Sequence, residues 1–191
     1  MRINFIGCPC SGKTTTAAMV FAKLKELGMN CEFITEQARL HIANLRWQRN
    51  LKPEDPCPLT DSDQFEIMIK QIETEEIVST AVGNSVVVIC DSSAFNSLLY
   101  MSKEDKDQAL KWDLVHRAKD QSDLVFYCPP VDESKGLDPN RVHSREQSLL
   151  IDSQIPEVMK TYAPEVWSKV INLTGNPKQR MLMVVNAILS A

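Results

Sequence analysis

Five short apolar, β-branched runs recur along the 191 residues, separated by stretches in which apolar positions return every three or four residues. The runs are Arg2–Ile6, Cys31–Thr35, Val86–Cys90, Leu124–Cys128 and Val170–Leu173. Strand-like and helix-like segments in strict alternation predict parallel strands joined by crossover helices. The expected fold class is therefore α/β, a doubly wound five-stranded parallel sheet. The third run, Val-Val-Val-Ile-Cys, is continuous rather than alternating, the pattern of a strand buried on both faces. Helices are predicted over about 14–27, 61–82, 105–120, 145–160 and 178–190. Gly28 supplies a stop for the first, and Thr60-Asp61-Ser62-Asp63 supplies N-cap candidates for the second. A chain of this length is expected to form one domain, residues 1–191, with a core of its own.

Two segments break the rhythm. Arg39 to Lys52 holds Arg39, Arg46, Arg49 and Lys52 with no acidic residue, together with His41 and Trp47. Val131 to Glu146 is polar and carries Arg141, His143 and Arg145. Long irregular inserts in compact α/β domains are usually functional or disordered. These follow the second and fourth strands, and ligands of open α/β sheets bind outside the carboxyl ends of strands. The first is expected to form a substrate-region insert, about 39–60, and the second a lid, about 131–146.

The most specific chemistry lies between the first strand and the first helix. Gly7-Cys8-Pro9-Cys10-Ser11-Gly12-Lys13-Thr14 fits G-x-x-x-x-G-K-[ST], a phosphate-binding loop. Glycines let such a loop wrap closely around phosphates with its N–H groups turned inward. The positive end of the following helix faces the same anion. Lys13 is expected to reach the β- and γ-phosphates, and the Thr14 hydroxyl to take a place on Mg2+. Residues Gly7 to Thr15, with Cys8, Pro9, Cys10 and Ser11 between the glycines, are thus the expected nucleotide-binding set. ATP with Mg2+ is the expected cofactor pair.

Further candidates follow from position. The second strand runs into Glu36, where a carboxylate can accept a proton from an acceptor hydroxyl, and Arg39 three residues on can orient the same substrate. Asp91 ends a doubly buried strand, where an ionised group needs a partner. It is expected to hold Mg2+ through water, or to act as the base. The residue after it is Ser92, not the second carboxylate with which motor ATPases activate water, which leans toward transfer rather than hydrolysis. Arg141 and Arg145 are candidate lid arginines for the charge on a transferring phosphoryl group. Gly175-Asn176-Pro177, after the fifth strand, is expected to pack on the nucleotide base, with Asn176 and Pro177 in contact. Trp47 could stack a ring or a nucleobase, although a partly buried packing tryptophan is the commoner case. His116 reads as a helix-face residue.

Composition narrows the setting. The net charge of −4 argues against a protein that coats nucleic acid through a generally basic surface, though not against a local basic patch. Cysteines 31, 90 and 128 lie in or beside strand-like runs, as small apolar residues do. Cys8 and Cys10 lie inside the phosphate loop with one residue between them, against zinc or thioredoxin-type chemistry. A reduced, cytoplasmic protein is expected, with no signal peptide, no membrane span and no membrane partner.

The ordered set of phosphate loop, Glu36-Gln37-Ala38-Arg39, helix around Gln64–Glu76, Asp91, Asp138-x-x-Arg141 and Gly175-Asn176-Pro177 resembles a known family. It is similar to the ATPase/kinase group that includes the ribosylnicotinamide kinase domain of bacterial NAD regulators. The resemblance implies a P-loop kinase of nucleosides or related hydroxyl compounds, with a catalytic carboxylate at Glu36 or Asp91 and an arginine-bearing lid. Gln37-Ala38 stands where those kinases carry an aromatic, Ser92-Ser93 where a Thr-Asp pair is expected, and no nucleotidyltransferase signature is present. The basic, tryptophan-bearing insert also resembles that of kinases acting on polynucleotides or on hydroxymethylated DNA bases in phages. The expected activity is transfer of the γ-phosphoryl group of ATP to a hydroxyl of a nucleoside-like small molecule. Single-stranded DNA is an alternative acceptor, and a nucleotide-gated regulatory ATPase an alternative function.

Overall fold

Apolar strands that alternate with amphipathic helices can bury both faces of a sheet only if helices cover each side. The computed structural model, which describes residues 1–52, 54–83, 85–102, 108–131 and 144–191, shows that solution. Strands β1 (Arg2–Ile6), β2 (Cys31–Ile34), β3 (Val87–Cys90), β4 (Leu124–Tyr127) and β5 (Ile171–Asn172) form one sheet. Their order is β2-β3-β1-β4-β5, and each neighbouring pair is parallel. In register, Asn4 of β1 lies between Cys90 and Val125.

The helices are α1 (Lys13–Glu26), α2 (Gln37–Gln48), α3 (Asp61–Val82), α4 (Gln108–Asp120), α5 (Arg145–Tyr162), α6 (Pro164–Trp167) and α7 (Pro177–Ser190), with a 3-10 helix at Ala94–Leu99. Ile3 and Phe5 of β1 point to one face, where they meet Ala17, Val20 and Leu24 of α1 and Val184, Val185 and Ile188 of α7. Ile6 and Val125 point to the other, where Met68 and Ile72 of α3, Leu114 of α4 and Ile155 of α5 cover them. β3 is buried along its whole length, as its unbroken apolar run predicts.

The main departure from expectation is α2, where an irregular insert was predicted after β2. Ala38, His41, Ile42 and Leu45 share a helical face at spacings of three and four, and no Gly or Pro interrupts them. Only His41 of these is fully buried, so the stripe is faint beside the charged residues around it. His41 Nε2 meets Asp63 Oδ1 at 3.0 Å and docks α2 against α3. The 3-10 helix and α6 were also not anticipated. They are too short to show a period; Ser93 caps the first by accepting from the Phe95 N–H, and Pro164 opens the second. β1 has its predicted bounds, and the other four strands are one or two residues shorter than predicted. Residues 105–107 of the third predicted helix, and lid residues 132–143 with Arg141 and His143, lie outside the described residues.

Candidate active site

Because β2 and β3 lie to one side of β1 and β4 and β5 to the other, the carboxyl end of β1 opens onto the crevice where α/β sheets bind ligands. The predicted phosphate loop occupies that position. Gly7 is forced by close approach: a Cβ there would stand 2.6 Å from both the Cys128 carbonyl oxygen and Ser11 Oγ. Gly12 adopts φ 86, a left-handed conformation that glycine enters without strain. It is also the N-cap of α1, and no side chain caps that end or places an acid in its first turn. By contrast α3, α5 and α7 each close their N-termini with a full capping box. The first-turn N–H groups of α1 are therefore available to an anion. Lys13 Nζ lies over the loop and donates to the Gly7 and Cys8 carbonyls, each at 2.8 Å.

The predicted metal-holding pair meets across 77 residues of chain: Thr14 Oγ1 donates to Asp91 Oδ2 at 2.9 Å. Asp91 is 3% exposed, and its Oδ1 is buried with no hydrogen-bond partner among the described residues. Burial pushes its carboxyl above the usual range, against the Thr14 hydrogen bond, and nearby Glu36 adds like-charge repulsion. An orphaned carboxylate oxygen beside a threonine hydroxyl, next to a phosphate loop, is a donor set that fits Mg2+. That ion keeps several waters and takes only one or two protein oxygens when phosphates share it.

Glu36 is the N-cap residue of α2 and pairs with Arg39 at 3.7 Å, an exposed ion pair one turn into the helix. Glu36 also lines a narrow cleft with Gln37, Gln64, Gln71, Ser97 and Tyr100. None of the last four was singled out from sequence, although Gln64 and Gln71 fell within the helical stretch the resemblance named. Gln71 Oε1 accepts from the Gln37 N–H at 3.3 Å and so fixes the start of α2. Asn96, on the same cleft, receives the Gly7 N–H at 3.4 Å and donates to the Phe5 carbonyl, tying the 3-10 helix to the loop. Glu36 is the charged residue of that lining, and the rest is amide, hydroxyl and hydrocarbon.

Other contributors come from far along the chain. Arg180 of α7 sends its guanidinium to the Ser11, Pro129 and Gly175 carbonyls. Asp152 of α5 accepts from the Tyr127 hydroxyl at 2.7 Å and faces Cys8, whose thiol burial and this carboxylate push up to about 12. All six cysteines are free thiols, and Cys31, Cys90 and Cys128 are buried as apolar residues.

The remaining candidates fall as follows. Arg145 is the first residue of α5, about two turns before Asp152 on the same helix face. Asn176 caps α7, accepting from the Gln179 N–H at 3.0 Å, and Pro177 is the first helical residue. Trp47 corrects the packing expectation: it is 82% exposed, on the last turn of α2, because it points opposite to the His41 stripe. His116 is an exposed residue of α4. Among the described residues no helix is long and apolar enough to cross a membrane.

Comparison with known proteins bears out the resemblance. No curated protein matches the chain in sequence. Two solved structures of NadR protein, one in complex with NAD and AMP-PNP and one in complex with NR, share the fold at a TM-score of 0.68. Each is 19% identical and is matched over 99% of this chain, but over only 48% and 50% of its own. This chain thus spans about half the length of those proteins. The family model for the AAA domain matches residues 2–180. With its phosphate loop, parallel sheet and that match, the chain belongs to the AAA domain family of P-loop nucleotide-binding proteins.

Proposed function

We propose that this domain is an ATP- and Mg2+-dependent kinase that transfers the γ-phosphoryl group to a hydroxyl of a nucleoside-like acceptor. The observation that carries the reading is the division of labour between two carboxylates. Asp91 is buried and bonded to Thr14 behind the phosphate loop. Glu36 faces a separate cleft beside it. A hydrolase needs only the first arrangement; a kinase needs a second pocket whose carboxylate can receive the acceptor's proton. The NadR structures of similar fold hold AMP-PNP and NR, which supports a nucleotide donor and a small acceptor.

In this reading the α1 N-terminus and loop amides bind the phosphates, and Lys13 exchanges the Gly7 and Cys8 carbonyls for phosphate oxygens. Thr14 and Asp91 hold Mg2+, which when bound neutralises charge on the β- and γ-phosphates. Glu36 takes the proton as the acceptor oxygen bonds to the γ-phosphorus and the bond to ADP breaks. Arg39 orients the acceptor beside Glu36, and lid arginines Arg141 or Arg145 balance charge on the phosphoryl group. Asn176 and Pro177 bound the base of the nucleotide. A cleft whose charged lining residue is the carboxylate Glu36 suits an acceptor without phosphates of its own.

The test is ADP release with ATP and Mg2+ across a panel of nucleosides, nucleotides and oligonucleotides. Release that rises only with a nucleoside, and is lost in Lys13→Ala, is expected. Equal release without any acceptor would overturn the kinase reading in favour of a regulatory ATPase. The exposure of Trp47 favours a second reading, a DNA-base kinase in which the tryptophan stacks an unpaired base. Release that rises only with oligonucleotides would support it.

A further inference from the structure

Arg180 is a charged residue that neither the motif nor the proposed chemistry uses. It is 4% exposed. Burying a guanidinium is costly unless its N–H groups find acceptors. Here three of its nitrogens do so, on three separate pieces of chain. Nη1 donates to the Ser11 carbonyl in the phosphate loop at 2.8 Å. Nη2 donates to the Pro129 carbonyl at the exit of β4 at 3.1 Å, and Nε to the Gly175 carbonyl after β5 at 3.1 Å. These partners are neutral main-chain oxygens, so the arrangement reads as a geometric clamp rather than an ion pair.

The peptide plane makes the clamp informative. A carbonyl and the N–H of the next residue belong to one rigid unit and point in opposite directions. Holding the Ser11 oxygen toward Arg180 therefore turns the Gly12 N–H away from it, as a donor with a fixed direction, and a cation on the oxygen polarises that N–H. Holding the Gly175 oxygen does the same for the peptide that enters the Asn176 cap. The Asn176 N–H is itself held by Gln179 Oε1 at 2.9 Å, which roots this turn in α7.

We propose that Arg180 is a positioning residue that locks the phosphate loop to the Gly175-Asn176-Pro177 turn, so that the phosphates and the base of one nucleotide meet surfaces at a fixed separation. This rests on the reading that the base lies against that turn, and it does not depend on phosphoryl transfer. The planar guanidinium presents donors from three separate nitrogens to three carbonyls; a lysine keeps the charge but gathers its donors on one nitrogen and loses that geometry.

The experiment compares two ligands in wild type and Arg180→Lys: ATP, which spans loop and turn, and inorganic tripolyphosphate, which occupies the loop alone. With folding confirmed by a cooperative melt, the variant is expected to lose about tenfold more affinity for ATP than for tripolyphosphate. Equal losses for the two ligands would mean that Arg180 serves only the loop, and no loss that it serves neither; both overturn the proposal. If Arg180→Lys does not fold, hydrogen exchange on the wild-type protein decides. Tripolyphosphate should then slow exchange of the amides at 174–176 as well as in the loop, and protection confined to the loop would overturn the clamp. Because both assays read binding, failure of the kinase test leaves them standing.

Discussion

Asp91 and Glu36 look alike in sequence, each an acid after a strand, and burial separates them. Asp91, bonded to Thr14 with one oxygen orphaned, has the surroundings of a metal-holding group. Glu36, partly exposed at the lip of the cleft, has those of a base. The two substitutions should therefore fail differently. Glu36→Gln is expected to lower kcat by about 10²–10⁴ with ATP affinity nearly unchanged. Asp91→Asn is expected to raise the Mg2+ concentration needed for half-maximal activity. Single-turnover rates and Mg2+ titrations distinguish them, and wild-type behaviour in both would move the catalytic centre elsewhere.

Among the elements, α3 is the frame on which the cleft is hung, and its N-terminus is closed from both sides. Thr60 Oγ1 accepts from the Asp63 N–H, while Asp63 Oδ2 accepts from the Thr60 N–H at 2.7 Å. Bonds donated to the carboxylate by the Thr60 N–H first, then by the Thr60 hydroxyl and His41, hold the Asp63 carboxyl down to about 2. Thr60→Ala should cost about 1 kcal/mol, which in a chain of this size lowers Tm by about 2–4 °C in a thermal melt. The α2 helix invites a test of the polymeric acceptor. Two of its four nearby cations are already engaged, Arg39 with Glu36 and Arg46 with the Lys52 carbonyl. Arg49 and Lys52 allow about two phosphate contacts, so single-stranded DNA affinity should fall with log salt at a slope near −1.4. If a base stacks on Trp47, Trp47→Ala should cost a further ~1–3 kcal/mol in the same titration. A flat salt response with no tryptophan effect agrees with a small acceptor.

At the scale of the whole molecule, the buried carboxyl of Glu75 ties stability to pH. Glu75, buried on α3, receives the Gln71 amide at 2.7 Å. Burial pushes it up to about 7, opposed by Gln71, Arg2 and Asn4. A carboxyl raised in the folded state destabilises nothing below its unfolded value near 4.3, because both states are then protonated. As pH rises from there to 7 the unfolded chain loses its proton first, and the fold loses stability, by up to about 3 kcal/mol. Glu75→Gln should remove that dependence, so its advantage over wild type grows between pH 4.5 and 7 and then levels off. Denaturant midpoints at three pH values check this.

What could be read along the chain was whatever depends on neighbours in sequence. The strands announced themselves because a parallel strand buried on both faces must be apolar throughout, as Val87–Cys90 is. The phosphate loop could be read because its glycines, Lys13 and Thr14 act within one turn of backbone. Glu36 and Asp91 could be found because a strand end is a place as well as a residue. The helix α2 was written in Ala38, His41, Ile42 and Leu45, but its buried histidine and exposed tryptophan invert the usual polarity. Gln71, Asn96, Tyr100 and Arg180 carried no such mark. Arg180 stands 169 residues from the loop oxygen it holds, and Asn96 stands 89 from the amide it receives. Those meetings follow from the strand order, which places β1 between β3 and β4 and so gathers the ends of distant segments around one loop. A side chain's partner across such a sheet is set by topology and packing, which no local pattern of residues encodes.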